Sequence, residues 1–409
     1  MAIALGVVAP TIFQSIKFFG DLFINLLKLF ALPMICSALI AALGDLSSHT
    51  RSLKSLTKKL LSYMLLSEIL AVMIALLLFN MFTPGTNCNP NLLLNGQSPE
   101  KITLPDFGFS QFVVSIFPDN IFYSLSNFEL LPVVIFSIMF GIGCSFVGES
   151  AKAIIKLAIG IREVCSKCLH GVMLLAPFGI FALVGAGVSQ SHLSGDLTEN
   201  FSALLAFVAV LVIGLFFHGL WQLILVTLFT KQKGFVIFKK SLPLFSTAFG
   251  TSSSVATLPI AMQTADSLGS KSFVTRLVLP LTATLNVGGM MMYEVGATLF
   301  FCQMLGVDLS LSHQILIALV CILGGMAEGG IPETSLVSLV VVFRIVNIPL
   351  SAITLLLPLD RILDRLRTMV NIFGNVCGVI LISHFIRQEE LDAENDPILD
   401  NQLHSTSLS

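Results

Sequence analysis

Residues 351–385 read SAITLLLPLDRILDRLRTMVNIFGNVCGVILISHF, an apolar segment that carries a regular set of polar side chains. A helix of about 20 apolar residues crosses the hydrocarbon core of a bilayer, and this segment exceeds that length. Its main polar residues recur at steps of four, three, four and four: Asp360, Asp364, Arg367, Asn371 and Asn375. That spacing puts all five on one face of a helix. Because an ionised side chain at mid-membrane costs about 2.5 to 3.5 kcal/mol, this face is expected to point into a helix bundle.

The composition of the whole chain is that of a membrane protein. Of its 409 residues, 55% are hydrophobic and 11% are charged, and the mean hydropathy is +0.92. These values lie outside the usual range of soluble domains. The net charge of −2 offers no basic surface, which excludes a nucleic-acid partner. Cys165 and Cys168 form an isolated CxxC pair, which we interpret as structural, so the sequence predicts no bound cofactor and no structural metal.

The apolar segments predict an all-α polytopic membrane protein with about eight transmembrane helices and two re-entrant helical hairpins. Residues 1–13 are expected to be the end of a first helix, which is either truncated or an unusually short membrane segment. Uninterrupted apolar stretches fall at 21–45, 60–82, 109–147, 153–188, 201–229, 272–305 and 351–386. The interrupted stretches, at 235–263 and 313–345, are the predicted hairpins 1 and 2. Irregular backbone at membrane depth is tolerated only inside protein or along a cavity, so the paired hairpins predict a transport site.

Basic residues predict the orientation of the chain. They concentrate in alternate loops, which are then cytoplasmic. The residues are Arg51, Lys54, Lys58 and Lys59, then Lys152 and Lys156, then Lys231, Lys233, Lys239 and Lys240. Both termini are therefore expected in the cytoplasm of a multi-pass protein of the plasma (inner) membrane, with residues 389–409 forming a disordered acidic tail.

Two groups of residues on the interrupted segments have the chemistry of ligand sites. The tip of hairpin 1 carries a run of hydroxyl groups that includes Ser253 and Ser254, where hydroxyl and backbone N–H groups hold a carboxylate or simply cap the turn. Hairpin 2 contains a glycine-rich turn that ends in Gly330 and Ile331, which suits a flexible lid.

The segment 272–305 contains a break and a membrane carboxylate. Asn286 and the following glycines are expected to interrupt the helix and expose carbonyl groups, and Glu294 is a candidate proton carrier. Glu68, which follows Ser67, is a second intramembrane carboxylate. The alternative for both acids is a neutral, hydrogen-bonded core side chain.

Charge pairing within the last helix has two interpretations. Asp364 with Arg367, or Asp360 with Arg361, can form internal ion pairs. An amino-acid ligand, which carries both charges, satisfies an aspartate and an arginine together, and arginine binds a carboxylate through two parallel hydrogen bonds. The internal pairs do not require Asn371, so we favour the ligand.

The sequence resembles the dicarboxylate/amino acid:cation symporters, the glutamate transporter family, from Gly20 onward. Matching motifs are Gly20-Asp21-Leu22-Phe23 with Pro33, Ala256-Thr257-Leu258-Pro259, Gly330-Ile331-Pro332, and Leu363-Asp364-Arg365-Leu366-Arg367-Thr368-Met369-Val370-Asn371. The resemblance implies a homotrimer with an elevator mechanism. Residues 1–234 would form mainly the scaffold, except for the helix at 60–82, and residues 235–388 would form the mobile transport core.

The resemblance also implies roles for individual residues. Asp364 would bind the substrate amino group and Arg367 its side-chain carboxylate, while a further set would contact the substrate: Thr368, Asn371, Ser253, Ser254, Gly330 and Ile331. Co-transported protons or cations would be held at Glu294, Glu68, Asn286, Asn371, Asn375 and Ser67. Sodium, where it binds, would be held by Asn286, Asn371 and Asn375.

Three residues depart from the family pattern. Gly288 and Asn375 replace aspartates that bind sodium, and Met290 replaces a threonine that contacts substrate. Losing two carboxylates weakens binding of hard cations. Glu294 matches the glutamate that carries the proton in animal members, and we hypothesise that Glu68 replaces a lost aspartate, as a cation ligand or a titrating group.

The predicted function is therefore secondary active transport of glutamate or aspartate, coupled to protons and/or sodium, with the bilayer and a small-molecule substrate as partners. Alternatives are a C4-dicarboxylate symporter, an uncoupled exchanger or anion channel, and a substrate sensor of the same fold. No nucleophile and base pattern predicts an enzyme.

Overall fold

The computed structural model describes residues 10–45, 53–86, 117–127, 130–175, 197–325 and 352–386, with scattered residues between 114 and 189 and between 335 and 349. All regular structure in these residues is helical. The α-helices are α1 Pro10–Asp45, α2 Leu53–Phe82, α3 Ile121–Ser126, α4 Leu130–Val147, α5 Lys152–Met173, α6 Leu197–Thr230, α7 Gly234–Lys240, α8 Leu242–Thr251, α9 Ser254–Ser267, α10 Ser272–Leu285, α11 Gly288–Met304, α12 Leu311–Gly325 and α13 Ile353–Phe385.

Five stretches of the described chain are helical, long and apolar enough to cross a membrane. They are Lys58–Phe82, Pro132–Leu169, Phe201–Thr230, Ser272–Met304 and Leu359–Phe385. Many large apolar side chains on their outer faces are exposed in the isolated chain, such as Leu77 and Phe216. A bilayer covers such side chains without a polar surface. The structure thus agrees with the predicted class of an all-α polytopic membrane protein.

The N-terminal helix differs from the prediction. Residues 10–13, predicted to end a separate first helix, are the first turn of α1, which continues to Asp45. The prediction of a separate helix is therefore wrong for residues 10–13, and residues 1–9 lie outside the described part.

The apolar stretch 109–147 is also divided, not one span. α3 begins after Asn120, whose side-chain oxygen accepts hydrogen bonds from the N–H groups of Phe122 and Tyr123. This cap starts a short separate helix, and α4 begins only at Leu130. Similarly, α5 ends at Met173, before the predicted end of its stretch at residue 188.

The predicted hairpin 1 and the broken helix are confirmed. In hairpin 1, α8 ends at Thr251, Ser252 adopts a left-handed φ of 50°, and Ser253 caps α9 by accepting the N–H of Ala256 at 3.2 Å. In the broken helix, α10 ends at Leu285 and α11 begins at Gly288. Of hairpin 2, the first arm is α12, which includes Gly324 and Gly325 of the glycine-rich segment, and residues 326–334 lie outside the described part.

The last helix, α13, lies at the centre of the packing that positions the candidate site. It packs against α6, both arms of hairpin 1 and α10, whereas α1 packs mainly against α4 and α5. The sequence assigns residues 201–229 to the scaffold, but α6, which contains them, packs on α13, α2 and α11. This packing connects α6 to helices of the predicted transport core.

We expect Gly378→Ala to destabilise the contact between α2 and α13. The Tyr63 hydroxyl on α2 donates a hydrogen bond to the Gly374 carbonyl oxygen on α13 at 2.6 Å, and a Cβ at Gly378 would lie 2.3 Å from the Tyr63 ring. Overpacking of this kind costs about 1 to 3 kcal/mol. Thermal unfolding in detergent should show a lower midpoint. Gly160→Ala on α5, where nothing lies within 4 Å of the added Cβ, is the matched control, and an equal loss there would contradict the argument.

Candidate functional site

The polar face of α13 is buried. Asp360, Asp364 and Arg367 are 1%, 2% and 0% exposed, and Asn371 and Asn375 are 4% and 0% exposed. Arg361 and Ile362, on the other side of the same turn, are exposed. Helical periodicity alone produces this division, since the buried residues recur every three or four positions. The face therefore points into the bundle, as its spacing predicts.

Arg367 forms two ion pairs on its own helix. Its Nη2 lies 2.8 Å from Asp360 Oδ1 and 3.1 Å from Asp364 Oδ1. The predicted pair of Asp360 with Arg361 is wrong, because Asp360 and Arg367 stand two turns apart on the buried face while Arg361 points outward. The spacing of seven residues is the sequence signal that could have identified this pair.

The guanidinium retains unused hydrogen-bonding capacity. Within the described residues, Arg367 Nε and Nη1 have no hydrogen-bond partner. The guanidinium carbon lies 4.1 Å from the centroid of the Tyr293 ring, so an aromatic face covers the charge. Buried donors are almost always paired, so these two N–H groups have capacity for a further acceptor. Internal ion pairing thus accounts for only part of this site.

The break between α10 and α11 meets α13 through asparagines. Asn371 Oδ1 accepts the Gly289 N–H at 2.7 Å, and Asn286 Nδ2 donates to Asn375 Oδ1 at 2.8 Å. A Cβ at Gly289 would lie 2.8 Å from Asn371 Oδ1, so this close approach requires glycine. The three asparagines that the sequence predicts as a sodium site are thus brought together.

As placed, these three amides fit sodium poorly. Two of their oxygens are already used as hydrogen-bond acceptors, and Asn286 Oδ1 is the amide oxygen of the set without a partner among the described residues. None of the three carries a negative charge. Hard cations prefer several oxygen ligands that include carboxylates. A sodium ion would have to reorganise both hydrogen bonds.

Glu294 lies on α11, fully buried, directly after Tyr293. It accepts a short hydrogen bond from the Ser338 hydroxyl. Ser338 belongs to the scattered described residues that follow α12, within the predicted hairpin 2. The carboxyl group thus joins α11 to hairpin 2. The sequence alone did not identify Ser338, because a serine in an apolar segment carries no signal of its partner.

The structure describes some of the other predicted substrate contacts and not others. Ser254 is buried at the start of α9, Ser253 is half-buried as its cap, and Thr368 is buried on α13 beside Arg367. α8 and α9 both pack along α13, so the serine tip and the polar face belong to one region of the molecule. Gly330 and Ile331 lie outside the described residues.

A second polar group lies where α2 meets α6. Glu68 and Ser67 on α2 are 0% and 1% exposed, and neither carboxylate oxygen of Glu68 has a hydrogen-bond partner in the described residues. The Gln222 amide nitrogen on α6 lies 3.4 Å from Ser67 Oγ and 3.0 Å from His218 Nε2. Only the fold brings His218 to this group, because Ser67 and Glu68 lie far away in the chain.

Similarity to known proteins agrees with this architecture. The sequence profile of the sodium:dicarboxylate symporter family matches residues 1–385. The chain belongs to this family. The match spans α1 to α13, including hairpin 1, the broken helix and the polar face of α13. The motifs that suggested the resemblance are therefore parts of one family-wide match.

Three members of the sodium:dicarboxylate symporter family are similar to this chain over most of its length. A proton/sodium-glutamate symport protein of Geobacillus stearothermophilus is 30% identical over 94% of this chain and 92% of its own length. A proton/glutamate-aspartate symporter of Escherichia coli (strain K12) is 28% identical over 89% of this chain and 84% of its own. An excitatory amino acid transporter of Caenorhabditis elegans is 26% identical over 98% of this chain and 87% of its own length.

Proposed function

We propose that this chain is a secondary active transporter of acidic amino acids, glutamate or aspartate, coupled to protons and/or sodium. The observation that carries the proposal is the buried guanidinium of Arg367, which lies beside the carboxylate of Asp364 and has two N–H groups with no partner in the part of the chain that the structure describes. Two similar proteins support the proposal, because one is named a glutamate symport protein and the other a glutamate-aspartate symporter.

Complementary charges assign the parts of the substrate. The ammonium group pairs with Asp364, and the side-chain carboxylate accepts hydrogen bonds from Arg367 Nε and Nη1. The main-chain carboxylate is held by Thr368, Asn371 and the serines of the hairpin 1 tip, Ser253 and Ser254. Gly330 and Ile331 close the site from hairpin 2. A plain dicarboxylate lacks the ammonium group that an amino acid offers to the carboxylate of Asp364.

Coupling to ions uses buried carboxyl groups and amides. Glu294 binds a proton, because a carboxyl group inside the membrane is less costly in its neutral form than in its ionised form. Asn286, Asn371 and Asn375 offer sodium a weak site at most, since none of them is charged. We therefore assign more of the coupling to protons than to sodium. Ser67 and Glu68 line the remaining coupling pocket.

Resemblance to the family supports the proposed oligomer, membrane orientation and domain motion. The chain forms a homotrimer in the plasma (inner) membrane with both termini in the cytoplasm. Residues 235–388, the helix at 60–82 and, by its packing, α6 move together as an elevator against the remaining scaffold, with the hairpins as the two gates.

Uptake into proteoliposomes tests this function. Labelled glutamate, aspartate and succinate are offered under proton and sodium gradients that are imposed independently. We expect concentrative uptake of glutamate or aspartate driven by the proton gradient, and little uptake of succinate. Exchange without accumulation would instead favour the uncoupled exchanger, and binding without uptake would favour the sensor. Accumulation of succinate alone would reject the amino-acid assignment.

A further inference from the structure

Glu68 is a buried acid without a counter-ion. It is 0% exposed on α2, and its two oxygens have no hydrogen-bond or ion-pair partner among the described residues. α2 packs against α6, α10, α11, α12 and α13. The buried titratable or charged side chains on α2 and these helices are Tyr63, His218, Tyr293, Glu294, Cys302, Cys321, Asp360, Asp364, Arg367 and Cys377. None of them is bonded to Glu68.

The cations on these helices cannot neutralise Glu68. Arg367 is the only lysine or arginine among the described residues that is buried, and it is bound to Asp360 and Asp364. Other described cations on these helices are at least partly exposed: Lys58, Lys59, Arg276, Arg361 and Arg365, with His313 and His384. An ionised, unpaired carboxylate in hydrocarbon surroundings is strongly disfavoured. Glu68 therefore needs either a proton or a bound cation.

The hydrogen bonds of His218 fix its protonation pattern. Trp221 Nε1, which can only donate, lies 3.2 Å from His218 Nδ1, so Nδ1 is the acceptor and the neutral ring carries its hydrogen on Nε2. That N–H faces the Gln222 amide at 3.0 Å, and Gln222 Oε1 has no partner as placed. Rotating the amide by half a turn makes Oε1 the acceptor of the His218 N–H. His218 then has no free nitrogen with which to bind a cation.

The same ring fills the space beside the helix break. A Cβ at Gly288 would lie 2.9 Å from His218 Nε2 and 3.1 Å from the Cβ of Ala71, which is one turn along α2 from Glu68. The imidazole thus stands where a side chain at residue 288 would be. A cation here would meet an N–H donor and the positive end of α11.

Oxygen ligands are also too few for a metal ion. With the Gln222 amide rotated, its Oε1 accepts the His218 N–H and also accepts the Ser67 hydroxyl, so the oxygens left for a cation are those of the Glu68 carboxylate and the lone pairs of Ser67 Oγ. A hard cation takes about six oxygen ligands, whereas a proton needs one. The small number of free oxygens and the space filled by the His218 ring both favour a proton over a metal ion at Glu68.

We propose that Glu68 is a second proton-binding carboxyl group of the transport cycle, and that His218 and Gln222 are positioning residues that close its pocket to sodium. This inference rests on the proposed function, because it assigns the ion of one coupling pocket. The proton binds Glu68 from one side of the membrane, travels with the substrate-loaded protein and leaves on the other side.

Infrared spectroscopy of the purified protein tests the proton directly, independently of transport. A protonated carboxylic acid has a carbonyl stretching band that ionised and sodium-bound carboxylates lack. At neutral pH we expect the difference between wild type and Glu68→Gln to contain this band, unchanged by added sodium. Absence of the band, or its loss as sodium rises at constant pH, overturns the proposal.

His218→Ala tests the closing role. Removing the ring opens the space beside Gly288, so sodium is expected to abolish the Glu68 band in this variant but not in wild type. Thr227→Val, which removes a hydroxyl elsewhere on α6, is the matched control and should behave as wild type. A band that is equally insensitive to sodium in His218→Ala would remove His218 from the proposal.

Accumulation measurements separate this inference from the proposed function. With the membrane potential clamped to zero and sodium absent, each coupled proton contributes about a tenfold accumulation ratio per pH unit of gradient. We expect Glu68→Gln to lower the slope of log accumulation against the pH gradient by one. An unchanged slope in a transporting variant overturns the role of Glu68 alone. Failure of wild type to transport, with the infrared band still present, rejects the proposed function and leaves the protonated acid established.

Discussion

Uptake of glutamate and aspartate is expected to fall by at least about 100-fold in Arg367→Ala. A hydrogen bond to a charged group contributes about 1.5 to 3 kcal/mol, and the variant loses those that Arg367 Nε and Nη1 offer to the substrate carboxylate. It also leaves Asp360 and Asp364 without their shared cation, which costs about 3 to 5 kcal/mol of stability. Uptake and thermal unfolding should therefore be measured on the same preparation.

Two further variants separate recognition from stability. Arg367→Lys keeps a positive charge for both aspartates but loses the planar pair of donors, so we expect a folded protein that still loses most of its uptake. Arg365→Ala removes an arginine two positions earlier that is half-buried and lies over the Phe249 ring. It should transport normally. Near-normal uptake by stable Arg367→Lys would show that a point charge suffices and that Arg367 does not clasp the carboxylate.

Glu294→Gln should abolish the contribution of one proton to accumulation while preserving exchange. Glutamine cannot ionise, but its carbonyl oxygen can still accept the hydrogen bond of the Ser338 hydroxyl, so the contact between α11 and hairpin 2 is retained. At a gradient of one pH unit we expect about a tenfold lower accumulation ratio, since one proton corresponds to 1.36 kcal/mol. Exchange of labelled for unlabelled substrate should continue.

Glu163→Gln is the control for the loss of a carboxylate. Glu163 is exposed on α5, so its neutralisation should change neither accumulation nor exchange. If Glu294→Gln accumulates substrate to the same ratio as wild type at every pH gradient, Glu294 carries no coupled proton. The remaining proton dependence would then be assigned to Glu68.

The class of the protein, its hairpin 1 and the buried face of α13 could all be predicted from the sequence. Each depends on local information, namely apolar length, helical periodicity and the residues that break a helix. Membrane insertion strengthens such signals, because a polar side chain in an apolar segment is costly unless it faces inward. The same local reasoning was wrong at residues 10–13, which belong to α1, and at 109–147, where the cap at Asn120 starts a separate short helix.

The sequence by itself thus determined an all-helical membrane protein of this family, with Asp364, Arg367 and Asn371 on one inward face. Only the tertiary structure decided which partners these residues have. Asp360 pairs with Arg367 and not with Arg361, and His218 fills the space beside Gly288. Periodicity specifies the direction of a side chain on its own helix, whereas its partner depends on which helices pack together and how closely. Small residues such as Gly288 and Gly374 allow that close approach, and their neighbours lie far away in the chain.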